Sequence, residues 1–221
     1  MKTWYHELGF HQNPFSTKPA AFHDDVLGFE KTYDEIQGLI QDSAIIGIFG
    51  AYGTGKTTLL KKIISDFGGK RNVIYYSCNR SEKPIRFKRL IARAGNLLQK
   101  LFGVKKKGLI LLIDESEFIR NRDVNNLLKF RKHFKSVVFV GKHSTPKVKK
   151  LLDEEFDLDA ISPEKAVELV RSRLGDLDII SDSMIRKIFR LDKNPRRFLK
   201  NCETAVMNAY YERETVKDKH I

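Results

Sequence analysis

Apolar residues in this chain gather into short, uniformly hydrophobic runs, separated by longer stretches in which they recur every three or four positions. Ala44 to Phe49, Asn72 to Cys78, Leu109 to Ile113 and Ser136 to Val140 are the short runs, rich in β-branched and aromatic residues, and each predicts a strand. Between them lie helical spacings. Phe29 to Asp42 places Tyr33, Ile36, Leu39 and Ile40 on one face, and Thr57 to Ile64, Pro84 to Phe102 and Val124 to Phe134 show the same periodicity. Strands that alternate with helices predict an α/β fold built on a parallel sheet with right-handed crossovers. Leu109 to Ile113 is too continuously apolar for a half-exposed strand, so it belongs in the middle of that sheet, and Asp157 to Ile161 predicts one further strand.

From Ser162 onward only helical spacing remains. Ser162-Pro163, Ser181 and Asn194-Pro195 have the residue types of helix starts, so residues 162–221 read as a three-helix appendage to a core spanning 1–161. In its last helix Phe198, Cys202, Ala205 and Ala209 form the buried stripe, which makes Cys202 a core thiol and turns Arg196 outward. Met1 to Asp25, with its aromatics and its Asn13-Pro14 and Lys18-Pro19 pairs, reads as an extended lead-in to the core.

The sharpest chemical signal sits at the first predicted strand-to-helix junction. Gly50-Ala51-Tyr52-Gly53-Thr54-Gly55-Lys56-Thr57 is a complete G-x-x-x-x-G-K-[ST] loop. Its glycines let the backbone curl until successive N–H groups, continued into the helix at Thr58, converge on phosphate. Lys56 is placed to reach the β- and γ-phosphates of ATP, and the Thr57 hydroxyl to ligate Mg²⁺. Asp114 and Glu115 follow the most apolar strand. Ligands of open α/β sheets bind beyond the strands' carboxyl ends, so Asp114 is expected beside the loop as a second metal contact. Glu115 then stands ready to orient or deprotonate a water aimed at the γ-phosphate.

Composition narrows the setting. The 41 lysines and arginines exceed the 28 acids by 13, a surplus that attracts polyanions, and residues 83–107 carry nine basic residues and no acid. Nucleic acid, with DNA favoured, is the expected partner through that segment. Two distant cysteines support neither a disulfide framework nor a zinc site, and no apolar stretch reaches membrane-spanning length. A cytoplasmic protein is expected.

The loop, the acidic strand end and the helical segment with Asn194-Pro195-Arg196-Arg197 resemble AAA+ ATPases, in particular archaeal replication-initiator and transposition-helper or secretion ATPases, in which a lead-in like Asn13-Pro14-Phe15 is also familiar. The resemblance implies a P-loop NTPase core of the AAA+/ASCE type with a helical lid. It implies that Arg196 is the lid arginine that senses the γ-phosphate, that His143 or Ser144 is the polar sensor after the fourth strand, and that Val26 to Phe29 packs near adenine. Ring-forming members present an arginine between that strand and the lid. Here Thr145 to Ile161 holds only Lys147, Lys149 and Lys150, which leaves Arg120, Arg122 or Arg131 as substitutes or a partner as a requirement. The chain runs only a few residues past Arg213, so the initiators' winged-helix domain is not expected here. The expected function is Mg-dependent ATP hydrolysis driving a switch or motor on DNA, alone or as a homo-oligomer. The alternatives are a non-catalytic ATP-binding adaptor for a protein partner and, further off, a small-molecule kinase.

Overall fold

In the computed structural model, residues 3–17, 28–68, 72–78, 84–94, 108–158 and 161–221 are described. Five strands, β1 (Ile45–Phe49), β2 (Val73–Ser77), β3 (Leu109–Asp114), β4 (Phe134–Gly141) and β5 (Glu154–Asp157), form one sheet in the order β2-β3-β4-β1-β5. Every pairing is parallel. Leu109 to Ile113 and Val137 to Val140 are at most 3% exposed, as befits central strands covered on both faces. Since β4 alone separates β1 from β3, the loop after β1 and the acids after β3 leave the same sheet edge, about 10 Å apart at two strand spacings.

The chain divides into two compact units. The sheet unit, Lys31–Tyr52 with Lys56–Leu158, has its core around Phe49, Phe87, Leu111, Leu127, Val137 and Phe139. The helical unit comprises Met1–Glu30, Gly53–Gly55 and Asp159–Ile221. Among its described residues are the short helix Trp4–Glu7 and the longer helices Pro163–Leu174, Asp182–Leu191 and Pro195–Tyr211, the last three capped as expected by the side chains of Ser162, Ser181 and Asn194. Cys202 lies fully buried among them, and burial pushes its thiol up to about 12, so it is packing material.

Three sequence expectations meet a different outcome, and a fourth is described only in part. The lead-in groups with the helices rather than with the sheet. Phe15 is fully buried, its ring stacks near Trp4 at 6.4 Å, and the Asn13 amide donates to Glu203 at 2.5 Å. The last strand occupies Glu154–Asp157 instead of 157–161, because an edge strand pairs on one side only and needs no apolar run. The helix expected at 124–134 runs from Asn121 to Phe130 and is followed by a tight turn, Arg131–His133. Arg131 ends it there by donating to the carbonyls of Phe134 and Ser43, both at 2.5 Å, which ties the starts of β4 and β1 together. The helix expected at 84–102 is seen as Phe87–Ala94, and residues 95–107, with Lys100 and Lys105 to Lys107, lie outside the described residues. Phe87 and Ile91 face inward while Arg86, Arg89 and Arg93 are exposed, as the periodicity predicts, and Lys88 is exposed as well.

Asp123 is the buried polar anchor of the sheet unit. Its carboxylate, 2% exposed, accepts from the Ile85 amide at 3.1 Å and from Arg120 Nε at 2.7 Å. Asp123→Ala removes the acceptor that both donors share and is expected to destabilise the fold by about 2–3 kcal/mol, read as a lower urea midpoint at unchanged slope.

Candidate nucleotide site

Local backbone chemistry builds the loop. Gly53 (φ +90) and Gly55 (φ +101) hold left-handed conformations that L side chains rarely adopt. A Cβ on Gly53 would also stand 2.6 Å from Asn194 Oδ1 and 3.0 Å from Arg196 Cβ, within the helical unit to which Gly53–Gly55 belong. A Cβ on Gly55 would meet the ring of Phe29 at 3.6 Å. Gly53 is thus fixed both by dihedral angle and by close approach, and Gly55 by its dihedral angle. Val26 and Leu27, expected near adenine, lie outside the described residues.

Lys56 opens the helix Lys56–Asp66 and folds back over the loop, its ammonium donating to the carbonyls of Gly50 and Ala51, each at 2.7 Å. Burial draws its pKa below the ordinary lysine value. The carboxylates of Glu117 and then Asp114 oppose that shift, and Lys142 adds to it. A partly desolvated cation is therefore held in the loop with two carboxylates in electrostatic reach. Thr54 is buried, whereas Ala51, Tyr52 and Thr57 are exposed.

Asp114 closes β3, and both of its oxygens have donors. Oδ1 accepts from the Glu115 amide at 2.8 Å and Oδ2 from the Tyr75 hydroxyl at 2.7 Å. Burial, and then the bond to Asp114, raises the Tyr75 pKa, so the phenol stays protonated and remains a donor. Glu115 has a left-handed backbone (φ 54, ψ 40), uncommon for a residue with a side chain, and its Oε2 accepts from the Ser77 hydroxyl at 2.6 Å. Tyr75 and Ser77 are two apart on β2, so one face of that strand supplies a hydroxyl to each acid.

Glu117, which sequence reasoning passed over, comes first among the carboxylates acting on Lys56. It accepts from the Lys142 amide at 3.2 Å, and a Cβ on Gly141 would stand 2.3 Å from its Oε2, so a glycine at the end of β4 leaves room for it. Tyr75, Ser77 and Glu117 carried no local motif. The one available signal was polar side chains at strand ends that proved to be neighbours.

The remaining expected residues fall as follows. Arg196 is exposed in the first turn of Pro195–Tyr211, where Asn194 Oδ1 accepts from the amides of Arg196 and Arg197 at 3.2 and 3.3 Å. Of the two sensor candidates, His143 is exposed and Ser144 donates to Glu155 on β5 at 3.1 Å. Arg120 is paired with Asp123 and Arg131 with main-chain carbonyls, which gives both structural work, while Arg122 is exposed.

The donor set suits a triphosphate with a hard cation. Positive-φ glycines open a cradle, a cation lies in it, and hydroxyl and carboxylate oxygens are the ligand type Mg²⁺ prefers. A family model described as an AAA domain matches residues 42–157, more than half of the 221-residue chain. Among solved structures, a chain of Drosophila ORC bound to DNA aligns with a TM-score of 0.61 and 21% identity over 95% of this chain and 64% of its own. The Holliday junction branch migration motor RuvB of Thermotoga maritima gives 0.62 and 15% over 86% and 66%, and a Walker-type ATPase of Pyrococcus abyssi gives 0.62 and 11% over 91% and 75%. At such identities the likeness is one of fold, and the chain spans less than two thirds of the length of the first two. No curated protein matches the sequence.

Proposed function

Because this chain belongs to the AAA domain family, we propose that it is a Mg²⁺-dependent ATPase whose nucleotide cycle drives a switch or motor on DNA. The observation that carries the proposal is electrostatic: Lys56 of the phosphate loop shares one sheet edge with Asp114 and Glu117. In this reading the amides from Gly50 to Thr58 line the β- and γ-phosphates. Lys56 exchanges the loop carbonyls for phosphate oxygens, and Arg196 senses the γ-phosphate. When bound, Mg²⁺ would be held by Thr57 and Asp114 and would neutralise charge on the phosphates. Glu115 accepts the proton of the attacking water while the Ser77 hydroxyl holds its Oε2. The second reading is an ATP-dependent adaptor that recruits a protein partner.

DNA is supported by the net charge of +13 and by the exposed Arg86, Lys88, Arg89 and Arg93 of the described part of the basic segment. The fold is shared with a chain of a DNA-bound complex and with a branch-migration motor. Among the described residues no helix is long and apolar enough to cross a membrane. Two buried free thiols, Cys78 and Cys202, accord with a cytoplasmic setting. Phosphate release at several protein concentrations, with and without duplex DNA, separates the readings. Turnover that rises with DNA supports the motor, and none under any condition leaves the adaptor.

Tyr75 provides a finer test. Tyr75→Phe removes one of the two donors that orient Asp114 and is expected to raise the Mg²⁺ concentration for half-maximal turnover about fivefold, equivalent to roughly 1 kcal/mol, with the rate at saturating Mg²⁺ within about twofold. A buffered Mg²⁺ titration at fixed ATP reads this out, and an unchanged half-point contradicts it.

A further inference from the structure

Charge is unevenly neutralised in the helical unit. Along Pro163–Leu174 and the carboxyl-terminal segment, cations have acids in reach: Lys165 lies 3.0 Å from both Glu30 and Glu168, Arg171 lies 2.7 Å from Asp182, and Lys219 bridges Glu212 and Glu214. The cluster of Glu212, Glu214 and His220 is absorbed in the same way. His220 Nδ1 accepts from the Lys217 amide and its other ring nitrogen faces Glu212, so the group is an ion-pair knot rather than a metal site.

Between residues 186 and 200 the balance inverts. Seven cations share that stretch with one acid, Asp192, which lies 3.4 Å from Arg197. Arg190, Lys193 and Lys200 are exposed, and among the described residues none of the three has an acid within 4.0 Å. Helical geometry gathers them. Ile185, Ile188 and Phe189 fill the inner face of Asp182–Leu191, which puts Arg190 on the opposite side and half-buried Arg186 at the flank. Phe198, Leu199 and Cys202 do the same in Pro195–Tyr211 and put Lys200 outward. Only Asp192, Lys193 and Asn194 connect the two helices, so the outward cations flank one corner. Like charges left without counter-charges repel one another, and an arriving polyanion relieves that repulsion.

We propose that this corner, Arg186, Arg190, Lys193, Arg197 and Lys200, is a second contact surface for the phosphate backbone of duplex DNA, beyond the basic segment 83–107. The inference rests on the DNA reading above. Arginine forks match phosphate oxygens, and DNA offers about one charge per 1.7 Å of axis for such a row to meet. The aromatic residues of the stretch, Phe189 and Phe198, are buried, so nothing here stacks on unpaired bases, which favours a duplex over a single strand. Its contacts hold the backbone and read no sequence.

The test is anisotropy of a labelled duplex across a salt series, with the full chain and its Arg190→Ala/Lys193→Ala/Lys200→Ala variant. Each neutralised phosphate contributes about 0.9 to the slope of log affinity against log salt, so the variant should lose roughly 2 to 3 from the slope and bind about tenfold or more weakly at low salt. Affinity for an ATP analogue and the thermal midpoint should stay at wild-type values, since the three residues stand outside the nucleotide site. Wild-type affinity and slope in the variant would overturn this surface and leave the DNA reading intact, most plainly if Arg89→Ala/Arg93→Ala alone weakens binding. A wild-type chain that binds no duplex at low salt, or that prefers vesicles of anionic lipid, would overturn the DNA reading and this surface with it.

Discussion

Lys56→Ala is expected to lower ATP affinity about 100-fold or more, close to 3 kcal/mol, and to abolish turnover. The argument begins in the loop. Lys56 is partly desolvated, which draws its pKa down, yet Glu117 and Asp114 act to keep it charged, and its ammonium is already held by the carbonyls of Gly50 and Ala51. Phosphate oxygens repay desolvation better than carbonyls, because charge-assisted hydrogen bonds are about twice as strong as neutral ones. Alanine removes the cation while both carboxylates stay, so an incoming triphosphate meets uncompensated negative charge. Titration of a fluorescent ATP analogue measures the loss, and a thermal midpoint without nucleotide close to wild type shows that the fold persists. Affinity within threefold of wild type contradicts the assignment of the loop.

Glu115→Gln is expected to divide binding from chemistry. The amide keeps the size of the side chain and can still accept from Ser77, so the left-handed turn after β3 is retained. What it lacks is a basic oxygen for the proton of the attacking water, and general-base contributions are typically 10²- to 10⁴-fold. Turnover should therefore fall at least about 100-fold while ATP affinity stays within about threefold. If turnover is lost in Glu117→Gln instead, the base is Glu117, the carboxylate that acts most strongly to keep Lys56 charged. Comparing the two variants, each as the glutamine, decides between the carboxylates.

What could be read along the chain was what neighbouring residues determine together. The phosphate loop is eight consecutive residues, and β3 announces itself as an unbroken apolar run ending in Asp114, so both were legible and both lie where expected. Helix caps at Ser162, Ser181 and Asn194 were legible for the same reason. Features that depend on which strands become neighbours were not. Tyr75 and Ser77 looked like ordinary strand residues until β2 paired with β3 and set Ser77 opposite Asp114. β5 is acidic and half exposed because it pairs on one edge, so no hydrophobic pattern marked it. Arg131 could be weighed as a trans-acting arginine only while its distant carbonyl partner at Ser43 was unknown, and Arg120 only until the helix at Asn121 set Asp123 beside it. The lead-in likewise gave its aromatics but not their destination among the helices.

The account stands most directly on a single-turnover experiment. Wild-type protein and Glu115→Gln are loaded with ATP in the presence of chelator, Mg²⁺ is added, and phosphate release is followed. Equal loading of both proteins, with release from the wild type alone, is the result expected. Failure of the wild type to load ATP, or equal release from the two proteins, contradicts it.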